Sequence, residues 1–209
     1  MPRTTPAPRP GPQGASTPGA ELGLGRVAPR EWGYSTSEVD ALLGQHLGAD
    51  ARAAGEGAEQ DDLPDPRQLR RAVFRRQRGG YAPADVDAAI DRLEDEAAQA
   101  RTRGFIRDHG EQAWHDRVDE QLEVVLGRLV RPAGHRFRAP SSAAARGYSA
   151  EEVDELCDRL HGQLLGHDAP RAAEVRAAVF APAWGEAVYE EHQVDAFLDA
   201  VVDLLHCLD

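Results

Sequence analysis

The sequence predicts an all-α fold made of two tandem duplicated halves, and three observations lead to this prediction. A short motif that begins with tyrosine occurs four times in the 209 residues. After each copy, the apolar residues recur with the 3.6-residue spacing of an amphipathic helix. No stretch of useful length alternates apolar and polar residues with the period of two that is typical of a strand.

The chain begins with a segment, residues 1–25, that is rich in proline and glycine. Six of the 14 prolines of the chain lie in its first 18 residues. Such a composition cannot bury enough apolar surface to offset the entropy lost on ordering. We therefore expect a disordered tail here.

In each copy of the motif, a tyrosine is followed at the fifth and sixth positions by valine and aspartate. The residues that define the four copies are Tyr34, Val39 and Asp40; Tyr81, Val86 and Asp87; Tyr148, Val153 and Asp154; and Tyr189, Val194 and Asp195. Glycine precedes the tyrosine in the first three copies, and we interpret it as a turn residue. All four tyrosines of the chain belong to this motif.

Each copy carries the signals of a helix start. Ser35 and Glu38 in copy one, like Ser149 and Glu152 in copy three, have the spacing of a capping box. Pro83 in copy two falls at the first helical position, where its missing N–H costs nothing. We expect each tyrosine to lie just before the helix and to pack on the valine as a hydrophobic staple. The motif residues are thus predicted to be structural core residues.

A second repeated element defines the two halves. The segment 69–74 (LRRAVF) precedes copy two, and the segment 175–180 (VRAAVF) precedes copy four. Copies one and two therefore form one half, residues 26–103. Copies three and four form a second half with the same internal order, residues 132–209.

The segment between the halves, residues 104–131, also has helical spacing. Val118, Leu122 and Val125 recur along one face, and Pro132 ends the pattern. We expect one longer central helix that joins the halves.

Composition and charge exclude several classes of protein. The net charge of −12 disfavours binding to a polyphosphate, so general nucleic-acid binding is not expected. No apolar run approaches the ~20 residues of a membrane span, and the first residues lack the apolar stretch of a secretory signal. We therefore expect a cytoplasmic protein. Phosphate loops, nucleophile elbows and metal-ligand spacings are absent, so no enzymatic activity, metal or cofactor is expected.

Two arginine-rich stretches that surround a phenylalanine are candidates for a surface patch. Their residues are Arg71, Phe74, Arg75, Arg76 and Arg78 in the first half, and Arg136, Phe137, Arg138 and Arg146 in the second. One interpretation is a patch for anionic lipid or an acidic partner. The other, which we favour, is a solvated helix face whose arginines pair with the many carboxylates of the chain.

The string Gly-Tyr-x-x-x-Glu-Val-Asp-x-x-Leu, with Phe74 seven residues before Tyr81 and an arginine-rich segment around it, resembles the DivIVA domain of Gram-positive bacteria. The resemblance covers four stretches of about a dozen residues. It implies a helical, oligomerising cytoplasmic scaffold with a coiled coil, which binds the inner face of the membrane and recruits division and cell-wall proteins.

The resemblance and the residues together predict a non-enzymatic DivIVA-like scaffold or adaptor. Such a protein would act through protein–protein contact in cell division or polar growth, with self-association as one form of that contact. The first alternative is a peripheral module that binds anionic lipid at the inner membrane face through the arginine clusters. The second is a soluble helical domain with no membrane role, whose repeats serve stability only.

Overall fold

A computed structural model describes residues 17–53, 65–142, 144–166 and 170–208, and the side chains of all of these except 47–53. The described chain is predominantly helical, which confirms the helical character of the predicted all-α fold, but it also contains short strands that were not predicted. Its helices are α1 (Pro18–Glu21), α2 (Thr36–Ala53), α3 (Pro66–Arg70), α4 (Pro83–His109), α5 (Glu111–Leu129), α6 (Ala150–Leu165), α7 (Ala172–Arg176) and α8 (Glu191–Leu208). No described helix is both long enough and apolar enough to cross a bilayer.

The helices α2, α4, α6 and α8 each begin two residues after a motif tyrosine. In α4, Pro83 occupies the start of the helix, where the chain needs no backbone donor. In α6, the Ser149 hydroxyl accepts a hydrogen bond from the Glu152 amide at 3.5 Å. The helix starts therefore follow the local signals in the sequence.

Short strands join the two motifs of each half. They are β1 (Trp32–Tyr34), β2 (Arg76–Arg78), β3 (Gly147–Ser149), β4 (Pro182–Ala183) and β5 (Val188–Tyr189). β1 pairs with β2 in an antiparallel arrangement, and β3 lies between β4 and β5, antiparallel to both. Strands of two or three residues are too short to give the alternating pattern that marks a strand in a sequence.

Each half has its own apolar core. The first core is built mainly from α2 and α4, and the second from α5, α6 and α8. The motif valines lie at the centres of these cores and are at most 1% exposed. They are Val39 and Val86 in the first core, and Val153 and Val194 in the second. Full burial of a valine contributes about 1.5 kcal/mol or more to stability.

The predicted central helix over residues 104–131 is wrong in its bounds. α4 continues through residue 104 to His109, and Gly110, with φ of +86°, separates it from α5. Glycine adopts this left-handed conformation at little cost, so it ends one helix and begins the next. α5 then packs against α4, α6 and α8.

The predicted disordered tail, residues 1–25, is also wrong in part. Residues 1–16 lie outside the described residues. Residues 17–25 are ordered, because the Thr17 side chain caps α1 and the Gly19 amide donates to Asp40 at 2.8 Å. Leu24 is buried in the first core.

The halves pack on each other through equivalent helices. α4 follows copy two, α8 follows copy four, and the two helices are in contact. The ion pairs between these helices and the short helices α3 and α7 form the site described next.

Candidate functional site

In each half, the two copies of the motif exchange hydrogen bonds between tyrosine and aspartate. The Tyr81 hydroxyl donates to Asp40 at 3.1 Å, and the Tyr189 hydroxyl donates to Asp154 at 3.0 Å. In the opposite direction, Tyr34 bonds to Asp87 and Tyr148 bonds to Asp195. The tyrosine of one copy therefore holds the helix of the other copy.

The residue four positions after each tyrosine also bonds across to the other copy. Each of these side chains accepts a hydrogen bond from a backbone amide in the segment that precedes the partner motif. The pairs are Glu38 with Arg75 (2.8 Å), Asp85 with Gly25 (2.9 Å), Glu152 with Ala181 (2.7 Å) and Gln193 with Arg138 (3.3 Å).

The capping boxes predicted for copies one and three do not form in full. Glu38 and Glu152 do not bond to the amides of Ser35 and Ser149, which instead donate to the carbonyls of Arg75 and Ala181. The pattern of serine and glutamate has a different physical use, because it clamps a second segment of chain onto the start of the helix.

In copies one to three, the glycine before the tyrosine is needed for close approach rather than for a special turn. A Cβ on Gly33 would lie 2.3 Å from the Tyr81 carbonyl oxygen, and one on Gly80 would lie 2.2 Å from that of Tyr34. A Cβ on Gly147 would lie 2.3 Å from the Tyr189 carbonyl oxygen. The backbones of the paired copies therefore contact each other where a side chain would prevent it.

Arg70 of α3 reaches across the boundary between the halves. Its guanidinium lies 3.1 Å from Asp199 and 3.0 Å from Asp203, both on α8. The neighbouring Arg71 also pairs with Asp199, at 2.6 Å. Arg70 is largely buried, with a side chain that is 10% exposed, so these pairs are poorly screened by solvent.

Arg176 of α7 makes the equivalent contacts in the reverse direction. It lies 3.2 Å from Asp91 and 3.1 Å from Asp95, both on α4. Arg70 lies four residues before Phe74, and Arg176 lies four residues before Phe180, so the two arginines are at equivalent positions. Their partners, ten and fourteen residues after a motif tyrosine, are Asp91 and Asp95 in α4 and Asp199 and Asp203 in α8.

Glu94 joins these two sets of contacts. Its side chain is fully buried; one carboxylate oxygen accepts from Arg70 at 2.5 Å, and the other lies 3.2 Å from Arg176. The second contact is an ion pair without hydrogen-bond geometry. The equivalent residue in α8 is Val202, so one carboxylate serves both arginines and the arrangement is not fully symmetric.

A cleft of about 570 Å³, which we call the inter-half cleft, lies along the boundary between the two halves and is lined by equivalent residues of both. Its apolar lining includes Ile90 from α4 and Leu198 from α8. The lining also carries five carboxylates and two guanidinium groups. These are Asp87, Asp91, Glu94, Asp195 and Asp199, with Arg70 and Arg176.

Asp87 and Asp195 are the carboxylates of this cleft that accept from tyrosine. Burial raises the pKa of both above the ordinary value, although the hydrogen bonds from Tyr34 and Tyr148 act in the opposite direction. Burial also raises the pKa of each tyrosine. A cation that approached these carboxylates would stabilise their charged forms.

Several of the predicted patch residues lie in ion pairs or in the cores. Arg75 pairs with Glu38, and Arg146 pairs with Glu191 at 2.7 Å. The buried residue Arg136 pairs with Asp154 and Asp158. The two phenylalanines pack on tyrosines, Phe74 on Tyr34 and Phe137 on Tyr189. Arg136 and Phe137 are thus unavailable to a lipid surface, being 5% and 7% exposed.

The remaining patch residues of the first half surround an exposed tryptophan. The guanidinium of Arg78 lies 4.6 Å from the centre of the Trp32 ring, and that of Arg76 lies 5.9 Å from it. Trp32 is 50% exposed. In the second half, Arg138 is exposed and uses its backbone amide to bond to Gln193.

The described residues contain no cluster of histidine, cysteine and acidic side chains that could hold a metal. Burial raises the pKa of the Cys157 thiol to about 12 and that of Cys207 to about 11. Both thiols are therefore protonated at neutral pH and are weak nucleophiles.

Sequence reasoning missed the arginine–carboxylate network between the halves. The signal for it was present, because aspartates occur at both ten and fourteen residues after the tyrosine in copies two and four, whereas copy one has neither and copy three has only Asp158 at the first of these positions. The role of Glu94 had no such signal, since Val202 occupies the equivalent position.

No family model, curated protein or solved structure matches the chain. The function proposed below therefore depends on the residues and on their geometry.

Proposed function

We propose that the chain is a non-enzymatic, cytoplasmic adaptor of DivIVA-like type, which acts through protein–protein contact in cell division or polar growth. In this proposal it is a tandem duplicate of a two-motif unit, and the two units pack on each other as an internal dimer. The inter-half cleft is the surface that receives a partner.

The recurrence of the same contacts supports the duplication. Each half contains two tyrosine–aspartate bonds, two clamped helix starts and an arginine at the equivalent position, Arg70 or Arg176, that reaches the other half. An internal dimer of this kind gives one cleft at the boundary between the units, which matches the position of the cleft lined by equivalent residues.

The chemistry of the cleft carries the proposal for a protein partner. Its apolar side chains would receive apolar side chains of a partner, while the excess of carboxylates over guanidinium groups favours a basic segment. The arginines are occupied by carboxylates, whereas Asp87 and Asp195 accept the weaker hydrogen bonds of neutral tyrosines. We therefore infer that a segment rich in arginine or lysine, with interspersed apolar residues, binds here.

The absence of enzymatic activity is part of the same proposal. The titratable groups of the cleft are held in ion pairs or by tyrosine hydroxyls, and the two thiols are protonated at neutral pH. None of these groups is activated as a nucleophile or a general base in the manner of a catalytic site.

A binding measurement with matched variants tests this proposal. A fluorescent peptide of alternating arginine and leucine would be titrated with the full chain, with a D87N/D195N variant, and with an E123Q/E151Q variant of equal net charge. Asparagine still accepts the tyrosine hydrogen bond, so the fold should persist. We expect binding about tenfold weaker for D87N/D195N and unchanged for E123Q/E151Q. Equal losses in both variants would show non-specific attraction and overturn the proposal.

The exposed Trp32 with Arg76 and Arg78 favours anionic lipid as a second candidate function. Tryptophan and arginine together are typical of side chains at a membrane surface. Co-sedimentation at low salt would compare vesicles that contain phosphatidylserine with vesicles of phosphatidylcholine alone. We expect the R76Q/R78Q variant to lose the binding that an R131Q/R171Q control retains. No pellet with either kind of vesicle would exclude this candidate.

A further inference from the structure

The inter-half cleft departs from the symmetry of the internal repeat at one end. Most of its lining residues come in equivalent pairs, one from each half. Three residues of the first half line it without an equivalent from the second half: Tyr34, Val73 and Phe74. Their equivalents, which the structure also describes, do not line the cleft: Tyr148, Val179 and Phe180. The first-half end of the cleft therefore has additional apolar surface.

An ion pair that only the first half makes holds this additional segment at the cleft. Arg71 pairs with Asp199 of α8 at 2.6 Å, which ties the segment that carries Val73 to the second half. The residue equivalent to Arg71 is Ala177, whose methyl side chain forms no ion pair. Val179 instead lines a separate open depression beside α6. The difference between LRRAVF and VRAAVF thus coincides with the asymmetry of the cleft.

Tyr34, Val73 and Phe74 form what we call the apolar rim. Val73 is 92% exposed, and the centre of the neighbouring Phe74 ring lies 5.4 Å from that of the Tyr34 ring. Contact with an apolar side chain would remove the Val73 methyl groups from water, which favours binding. Asp87 lines the same cleft and bonds to Tyr34. A carboxylate therefore lies close to the apolar rim.

We propose that the partner segment of the inter-half cleft carries an apolar residue that packs on the apolar rim, beside basic residues that pair with the cleft carboxylates. The rim sets the orientation of the segment, because only one end of an otherwise nearly symmetric cleft offers this contact. Val73 is thus a specificity-determining residue. This inference rests on the proposed function, since charge complementarity holds the segment in the cleft.

Equilibrium binding of single-leucine peptides tests this proposal. The probes are fluorescent arginine peptides that carry one leucine at the amino or the carboxyl end. Matched peptides have serine in place of the leucine. We expect at least one leucine peptide to bind the full chain about fivefold more tightly than its serine counterpart.

The two equivalent valines provide matched variants. Val73→Ser should abolish the advantage of leucine over serine. Val179→Ser alters a valine outside the cleft that is 90% exposed, so it should retain that advantage. Because both side chains are exposed, both variants should fold. The proposal is overturned if leucine gives no advantage in either peptide, or if the two variants bind the leucine peptides alike.

The orientation of the bound peptide gives a second readout. A nitroxide beside the leucine should broaden the amide signals of residues 72–75 more strongly than those of residues 178–181. Equal broadening would show two orientations and overturn the proposal.

The same titrations separate this inference from the proposed function. If no arginine peptide binds up to about 1 mM, both fall together. If D87N/D195N weakens binding but Val73→Ser acts like Val179→Ser, the proposed function stands and only the apolar rim loses its role.

Discussion

The hydroxyl of Tyr189 donates a hydrogen bond to the carboxylate of Asp154 at 3.0 Å, and both residues are buried. Tyr189 belongs to the fourth copy of the motif and Asp154 to the third, so this bond fastens two copies together. Asp154 also accepts from the Gly134 amide at 2.7 Å and from Arg136. The motif is therefore a device by which two copies complete each other's helix starts.

Removal of the Tyr189 hydroxyl should destabilise the protein measurably. Tyr189→Phe takes one donor from a buried carboxylate, which costs about 2 kcal/mol of unfolding free energy. Tyr34→Phe removes the bond to Asp87, which runs in the opposite direction between the copies of the first half and lies at a partly buried site, and should cost about 0.5 kcal/mol. Urea unfolding of both variants would show whether Tyr189→Phe loses more unfolding free energy than Tyr34→Phe. Equal losses would contradict the importance of the buried exchange.

Glu94 should be the most sensitive carboxylate of the boundary between the halves. Glu94→Gln leaves Arg70 and Arg176 buried without their shared counter-charge, which should cost about 3 kcal/mol. Glu96→Gln, at an exposed position on the same helix, should change stability by less than about 0.5 kcal/mol. Denaturation of the two variants side by side measures the difference, and a neutral Glu94→Gln would refute the role given to this network.

Two aspartates of the inter-half cleft should respond to pH with opposite signs. For Asp199, burial acts to raise the pKa, but hydrogen bonds from Arg71 and Arg70 prevail and hold it below its ordinary value of 3.8. Its contribution to stability is therefore present above pH 3.8 and lost as the pH falls through the lowered pKa. For Asp87, burial raises the pKa above 3.8, so its ionisation costs stability as the pH rises through that region.

We accordingly expect Asp199→Asn to lower the melting temperature at pH 7 and Asp87→Asn to raise it. Both differences from the parent protein should shrink towards pH 3, where the parent aspartates become protonated. Thermal unfolding at pH 3, 5 and 7 provides the measurement. Shifts of the same sign at pH 7 would show that the two carboxylates do not have the environments described.

The two thiols should react slowly in the folded protein. Relative to the ordinary value of 9.0, a pKa of about 12 for Cys157 reduces the thiolate fraction at pH 8 about a thousandfold, and a pKa of about 11 for Cys207 about a hundredfold. A coloured disulfide reagent should modify Cys207 first, because Cys157 is buried. Rapid reaction of Cys157 without unfolding would contradict its placement in the core.

The sequence predicted local structure better than contacts between segments. The helix starts at Thr36 and Pro83 follow from cap residues and apolar spacing, which act within one turn of helix. The partner of Glu38 is a backbone amide 37 residues away, and no local rule identifies such a partner. The hydrogen bonds of the tyrosine hydroxyls were not predicted for the same reason. Packing of the ring on the nearby valine was enough to explain the tyrosine in the sequence pattern.

Gly110 is a helix-end signal inside a segment with continuous helical spacing. Helical spacing continues on both sides of it, so periodicity alone predicts a continuous helix there. A glycine directly after Asp108 and His109 is also a typical helix end, and its φ of +86° shows that it acts as one. The hairpin of α4 and α5 depends on that residue.

The internal dimer is the central claim, and the mass in solution tests it most directly. Light scattering behind a sizing column would be measured at several concentrations of the full chain. Because Arg70 and Arg176 already pair the two halves within one molecule, we predict the mass of one chain, 22.7 kDa, at every concentration. A dimer of about twice that mass would contradict the account, since the halves would then be free to pair between molecules.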